Sequence, residues 1–286
     1  MRNLTEANLP EAVVAAMVGA QNERFKEIMT GLVKHLHAFI QELSLTEAEW
    51  LTGIQFLTAV GQKCDDNRQE FILLSDTLGV TTMKDIINNR KPPGVTEYTI
   101  LGPFHRTDAP EFPLSENMAA DMPGEPVILM GQVLAPDGSP IRGARLDVWH
   151  SDSEGFYDLQ RPEITGTALR GIFHTDAEGK YIFRTIKPAC YPIPNDGPVG
   201  QMLAAMGRHP FRPAHIHFII SAEGYKSVTT ELFVADDPYL DSDAVFGVRE
   251  SLVVPFRRND SKEDAARFGL PVPFYKVDYD FVLESV

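Results

Sequence analysis

The sequence predicts an α+β protein, with a helical region over residues 1–95 followed by an all-β sandwich over residues 96–286. Three observations predict it. Apolar residues at Phe25, Ile28, Met29, Leu32, Leu36, Phe39, Ile40 and Leu43 recur at steps of three and four, the stripe of an amphipathic helix. All prolines but Pro10 lie beyond residue 90, where a missing N–H and a fixed φ work against long helices. The later part instead alternates apolar and polar residues in short runs divided by turn residues.

Taken in order, Asn8 and Pro10 mark a helix start, and with the stripe this helix reads as about 35 residues long. Thr46-Glu47-Ala48-Glu49 is a capping box, with Leu45 and Trp50 at the staple positions. A further helix covers Arg68 to about Leu78, stopped by Gly79, and a short one covers Thr82 to Asn89. Strands follow at Val127–Leu134, around Ala144–Val148, at Lys180–Thr185, Ala214–Ser221 and Ser227–Val234, and in the alternation from Tyr275 to Leu283. Pro136-Asp137-Gly138 and Thr175–Gly179 are turns. The helical stripe has more apolar face than one subunit needs, so a homodimer through the N-terminal helices is expected.

Composition narrows the function by exclusion. The 286 residues include 26 Lys and Arg against 40 Asp and Glu, a net charge of −14. Such a chain is a poor general binder of nucleic-acid phosphates or acidic membranes. Cys64 and Cys190 are the only cysteines, which excludes a disulfide scaffold, a Cys-rich zinc module and a four-Cys iron–sulfur site. The start lacks the basic and long apolar regions of a signal peptide, and no 18-residue apolar stretch occurs, so the expected location is cytoplasmic with no membrane span. There is no G-x-S-x-G elbow, phosphate loop or dinucleotide fingerprint.

His215-Ile216-His217 is the first chemical signal. On a strand, period-two geometry places both imidazoles on one face and Ile216 on the other. Taken alone, such a pair is more often structural than metal-binding, but its apolar surroundings demand partners for it. Tyr157 and Tyr191 each lie in loop sequence and, singly, read as packed tyrosines. Asp152, Glu154 and Asp158 miss the spacing of a calcium loop, and with Asp241 and Asp243 they read as turns. Cys190 reads as a buried thiol, and His150 is the best spare ligand.

Together, Glu154-Gly155-Phe156-Tyr157, Tyr191-Pro192-Ile193-Pro194 and the run from Gly207 through Arg212 and His215 to Phe218 resemble the intradiol ring-cleavage dioxygenases. Leu101-Gly102-Pro103-Phe104 and Asp241–Val248 fit the same family, and the likeness runs over about residues 20–285. The segments Phe156–Gln160 and Tyr191–Gly200 look like the branch acting on hydroxyquinol (benzene-1,2,4-triol). The resemblance implies a helical dimerisation region, a catalytic β-sandwich and one non-haem Fe(III) per subunit, bound by Tyr157, Tyr191, His215 and His217. In family members a phospholipid can lie in the helical dimer interface. The donor types suit the ion: Fe(III) is hard and strongly acidic, and phenolate is a hard anionic donor. The implied reaction uses O2 to open an aromatic diol or triol between two adjacent hydroxyl-bearing carbons. Hydroxyquinol would give 3-hydroxy-cis,cis-muconate, which tautomerises to maleylacetate.

The same resemblance assigns Tyr191 as the ligand released on substrate binding, helping to take up a proton, and Arg212 as electrostatic support. It places Leu73, Asp76, Ile100, Leu101, Gly102, Pro103, Phe104, Ile193, Pro194 and Val245 at the substrate. Leu73 and Asp76 are i, i+3 on one helix face, and Asp76 is suited to bind a third hydroxyl. His105 is a candidate for the substrate rim. Glu231 stands where catechol-cleaving relatives carry a neutral glutamine, so a carboxylate there would alter the field at Arg212. The rival readings are a catechol or chlorocatechol 1,2-dioxygenase and, outside enzymes, a transthyretin-like β-sandwich binding module. A cupin is disfavoured because Glu223 lies too far beyond His217.

Overall fold

The computed structural model describes residues 2–66, 68–119 and 122–286 and divides into two compact units, Met1–Gln62 and Lys63–Val286. The first unit holds α1 (Leu9–Ala15), a 3₁₀ turn (Ala16–Gly19), α2 (Glu23–Leu43) and most of α3 (Glu47–Lys63). The expected 35-residue helix is therefore broken. Ala20 is extended at φ −64° and ψ 126°, and Asn22 restarts the helix by accepting from the Phe25 N–H at 2.9 Å. The capping box forms as expected: Glu49 accepts from the Thr46 N–H at 2.9 Å, and the Glu49 N–H donates to Thr46 Oγ1 at 3.4 Å. Phe25, Ile28, Leu32, Leu36, Phe39, Ile40 and Leu43 of α2 are exposed, as are Trp50, Leu51, Ile54 and Leu57 of α3. Among the described residues no helix is long and apolar enough to cross a membrane.

The second unit opens with α4 (Glu70–Thr77) and α5 (Val80–Asn88), separated by Gly79 at φ 72°. The strands then run β1 (Pro126–Leu134), β2 (Arg145–His150), β3 (Arg170–His174), β4 (Lys180–Ile186), β5 (Tyr191–Pro192), β6 (Phe211–Arg212), β7 (His215–Ser221), β8 (Val228–Val234), β9 (Val253–Val254), β10 (Arg257–Asn259), β11 (Phe274–Asp278) and β12 (Phe281–Val282). Two short helices interrupt them, α6 (Pro198–Ala205) and α7 (Lys262–Phe268). Neither helix was legible as such in the sequence, nor was β3. Among the described residues one sheet is ordered β3-β2-β7-β8-β9, a second β10-β11-β1-β12 with β4 also on β1, and β5 and β6 form a two-stranded third. The expected C-terminal strand is split in two, both parts parallel to β1. Gly131 accommodates the break, because a Cβ there would stand 1.7 Å from the Tyr279 carbonyl oxygen.

The core lies between the sheets and includes Leu129, Val133, Leu146, Val148, Phe173, Phe183, Ile216, Phe218, Ile220, Leu232 and Phe281. Each fully buried large side chain contributes on the order of 1.5–3 kcal/mol. Along β7 the core takes Ile216, Phe218 and Ile220, so alternation sends His215 and His217 to the opposite face. Register then chooses their neighbours. Trp149 of β2 and Glu231 of β8 both pair with His217, and Phe233 pairs with His215.

Candidate metal centre

Four side chains from three segments converge on the outer face of β7. Tyr157 follows β2 on a tight loop. Asp152 turns that loop by accepting from the Glu154 and Phe156 N–H groups, and the buried Asp158–Arg170 ion pair anchors its far side. Gly155, at φ 87°, lets the loop pass the second tyrosine segment: a Cβ there would lie 2.7 Å from Tyr191 Cβ. Tyr191 on β5 pairs with Arg212 on β6, which places the guanidinium beside the phenol.

Tyr157 Oη lies 3.3 Å from Tyr191 Oη, 3.4 Å from His215 Nε2 and 3.1 Å from His217 Nε2. Tyr191 Oη lies 3.4 Å from His215 Nε2, and the two Nε2 atoms are 3.1 Å apart. Nitrogen and oxygen donors about 2.0–2.1 Å from one cation stand roughly 3–3.5 Å apart, so this set fits a single ion. His215 Nδ1 lies 2.6 Å from the Pro213 carbonyl oxygen, and donating to it leaves the Nε2 lone pair directed at the cluster. Burial, with the Arg212 charge added, holds His215 below its ordinary value. Burial, with His215 and Arg212 added, holds His217 well below its own. Both imidazoles are therefore neutral, as ligation requires. Burial raises Tyr191 and, still more, Tyr157, so without a cation both phenols keep their protons.

Arg212 is buried between two carboxylates. It donates to Glu231 Oε1 at 2.8 Å and to Asp243 Oδ1 at 3.2 Å, and its Nη1 lies 3.3 Å from His215 Nε2. Burial opposes its charge, but Asp243 and Glu231 outweigh that and hold it well above the ordinary guanidinium value. Burial likewise acts to raise Glu231, and Arg212 overrides it, so the carboxylate is ionised. Glu231 Oε1 lies 3.3 Å from His217 Nδ1, without the alignment of a hydrogen bond. His215, His217 and Glu231 also form a group close enough to share a metal. Glu231 Oε1 also lies 3.5 Å from His215 Nε2, but both oxygens of this carboxylate are engaged by Arg212.

Several sequence-predicted pocket residues gather nearby. Leu73, Ile100, Ile193 and Val245 pack with Leu203 and Ala244 in one cluster. Asp76 is buried, its Oδ1 lacks a partner, and burial raises its carboxyl despite the opposing pull of Thr81 and Arg212. A Cβ on Gly102 would lie 3.4 Å from His217 Cε1, and Phe104 stacks on Tyr157 at 4.3 Å. Leu101, Pro103 and Pro194 are exposed. His105 turns instead to Asp147, at 3.3 Å, and packs edge-on against Trp149. Trp149, stacked on His217 at 4.7 Å, is a participant that the sequence did not single out, and Asp243, read there as a turn residue, both accepts from the Gly247 N–H and bonds Arg212. Only strand register and loop closure bring them here. Cys190 is half-buried rather than buried.

His150 is not a ligand: Nδ1 lies 2.7 Å from the Ser151 carbonyl oxygen and Nε2 lies 2.6 Å from Thr185 Oγ1. Burial lowers its pKa from 6.5 to about 4, so the folded chain keeps this ring neutral. As pH falls below 6.5 the unfolded chain takes up this proton and the folded chain does not until about 4. Stability is therefore lost across that window, by roughly 3 kcal/mol from this group. Urea denaturation between pH 7 and 4.5 should show the decline; an NMR titration of His150 near its ordinary value would contradict it.

Fold and donor set together define a β-sandwich carrying a candidate site for one hard cation. Comparison with known proteins agrees with that class. A family model described as "Dioxygenase" matches residues 100–285, and one described as "Catechol dioxygenase N terminus" matches residues 22–96. The hydroxyquinol 1,2-dioxygenase of Rhizobium sp. (strain MTP-10005) is 50% identical over 280 residues, covering 97% of this chain and 95% of the relative. The 6-chlorohydroxyquinol 1,2-dioxygenase of Cupriavidus pinatubonensis is 46% identical, covering 99% of each. A crystal structure of hydroxyquinol 1,2-dioxygenase from Pseudomonas putida DLL-E4 superposes with a TM-score of 0.94 at 48% identity, over 98% of this chain and 99% of that one. The chain belongs to the intradiol ring-cleavage dioxygenase family, whose members use non-haem iron.

Proposed function

We propose that this chain opens hydroxyquinol with O2 to 3-hydroxy-cis,cis-muconate, the tautomer of maleylacetate, using one Fe(III) per subunit held by Tyr157, Tyr191, His215 and His217. The four-donor cluster supports the metal assignment, and the unpaired, buried Asp76 carboxylate oxygen carries the choice of substrate. Iron held there would supply Lewis acidity toward the adjacent ring hydroxyls. The protein does the rest. Neutral His215 and His217 offer lone pairs, and two phenolates offset two of the ion's charges. Tyr191 Oη, beside Arg212, is assigned to receive a substrate hydroxyl proton. Arg212 offsets negative charge developing on the substrate oxygens, in a site where burial strengthens its field. Asp76 accepts a hydrogen bond from the third hydroxyl. Leu73, Ile100–Phe104, Ile193, Pro194 and Val245 enclose the ring and exclude water.

Residues 1–95 then serve as a dimerisation and linker region, whose α4 lends Leu73 and Asp76 to the site, and 96–286 as the catalytic domain of a cytoplasmic enzyme. The exposed apolar faces of α2 and α3 support a homodimer, in whose interface the family resemblance places a phospholipid.

Pure protein should be red-brown from tyrosinate-to-iron charge transfer and should consume O2 faster with hydroxyquinol than with catechol or chlorocatechols. Colourless protein that stays iron-free after reconstitution would refute the metal assignment; faster turnover of catechol would refute the substrate. Asp76→Asn should keep iron while losing about 10–100-fold of the preference for hydroxyquinol over catechol, because a site built around a substrate hydroxyl discriminates through it. An unchanged kcat/KM ratio would remove Asp76 from the site.

A further inference from the structure

Asp76 lies near the C-terminal end of α4, one residue before Thr77, while Val245 lies on a separate loop one residue after Ala244. One side chain bridges the two walls. Arg208 donates through Nη1 to the Thr77 carbonyl at 2.6 Å and through Nη2 to the Ala244 carbonyl at 2.9 Å. Its guanidinium also lies 4.7 Å from the centre of the Phe246 ring, which packs against Gly79 at the end of α4. Thr77 closes α4, so its carbonyl lacks an intrahelical donor and sits at the negative end of the helix dipole, where a cation is favoured. The loop is tied to the same helical pair a second time: Thr82 Oγ1 donates to the Val245 carbonyl at 2.9 Å.

We propose that Arg208 is a positioning residue for specificity, a planar fork that fixes the spacing between the Asp76 wall and the Val245 wall and so the fit of the substituent at the third ring position. This inference rests on the reading of Asp76 as the acceptor for that substituent. A guanidinium presents its N–H groups in a rigid plane, so two carbonyls bonded to one fork cannot move apart independently. Lysine keeps the charge but offers a compact ammonium on a flexible stem, which cannot hold both carbonyls in that geometry. Arg208 spends its side-chain hydrogen bonds on the Thr77 and Ala244 carbonyls rather than on the four donors, so its loss should act on fit rather than on the chemical step.

The test uses the full-length, iron-loaded enzyme and Arg208→Lys. Hydroxyquinol KM should rise about tenfold with kcat held within about threefold, and the hydroxyquinol-to-catechol ratio of kcat/KM should fall about tenfold. Iron content and the charge-transfer band should match wild type. A merely structural role predicts the reverse: a lower melting temperature, equal losses on both substrates and an unchanged ratio, which would overturn the proposal. Should Arg208→Lys prove too unstable to assay, Thr82→Val cuts the second tie alone. It should move the ratio in the same direction by a smaller factor, and an unchanged ratio there also overturns the proposal. Asp76→Asn separates the two ideas. If it shifts the ratio while the Arg208 and Thr82 variants do not, Arg208 has no such role and the Asp76 reading survives. If none shifts it, that reading falls as well.

Discussion

Tyr157→Phe should yield a folded, colourless, iron-free protein whose turnover is down by about three orders of magnitude or more. The ring itself is structural: it is 1% exposed and stacks under Phe104 at 4.3 Å, and phenylalanine preserves both features. Only one oxygen is removed, and without a cation that oxygen lies protonated in a buried place, 3.3 Å from Tyr191 Oη, 3.4 Å from His215 Nε2 and 3.1 Å from His217 Nε2. Removing one partner from such a buried group costs about 1–3 kcal/mol, so apo stability should fall by no more than that. The proposed ligand set, by contrast, loses one of its two anionic donors. Wild type should therefore gain stability on iron loading, as anything that binds only the folded state confers, and the variant should not. Melting curves with and without iron read this directly, beside elemental analysis and oxygen uptake. A variant that keeps stoichiometric iron and its colour would exclude Tyr157 as a ligand.

The sequence made the donor types legible because each lies in a short contiguous segment, and β7 alternation alone fixes the face that His215 and His217 share. It also made the two-part architecture legible, since helical period and proline distribution are local signals. What it could not show depends on pairing between distant segments. Trp149 joins the site only because β2 and β7 meet in a register that sets it opposite His217. Asp243 joins because its loop folds back onto β6, with the Ala244 N–H bonded to the Phe211 carbonyl at 3.1 Å. The long helix was misread for a different reason. Apolar spacing persists across Ala16–Gly19, but Asn22 offers the backbone a local cap that competes with continuing the helix. Glu231 was visible as an unusual charge, yet its pairing with Arg212 emerges only from the packing of β6 against β8.

That pairing sets the second large effect. Arg212→Met should cost about 3–5 kcal/mol of stability and lower turnover at least about a hundredfold in whatever protein still folds. The side chains of Arg212, Glu231 and Asp243 are 4%, 0% and 3% exposed, so removing the cation strands two carboxylates where water cannot reach them. Breaking such a group from one side is costly even where the intact group adds little net stability, because its attraction mainly offsets desolvation. Adding Glu231→Gln to the Arg212→Met background removes one stranded charge. The double variant should therefore recover part of the loss, and its total should fall short of the sum of the two single losses by about 1–3 kcal/mol. Activity should not recover with it, since no cation remains to offset charge on the substrate. Urea denaturation of the two singles and the double closes this cycle, and strict additivity would mean that Arg212 and Glu231 do not act as a pair. Recovery of turnover together with stability would mean instead that Arg212 only holds the fold, leaving the chemistry to the four donors alone.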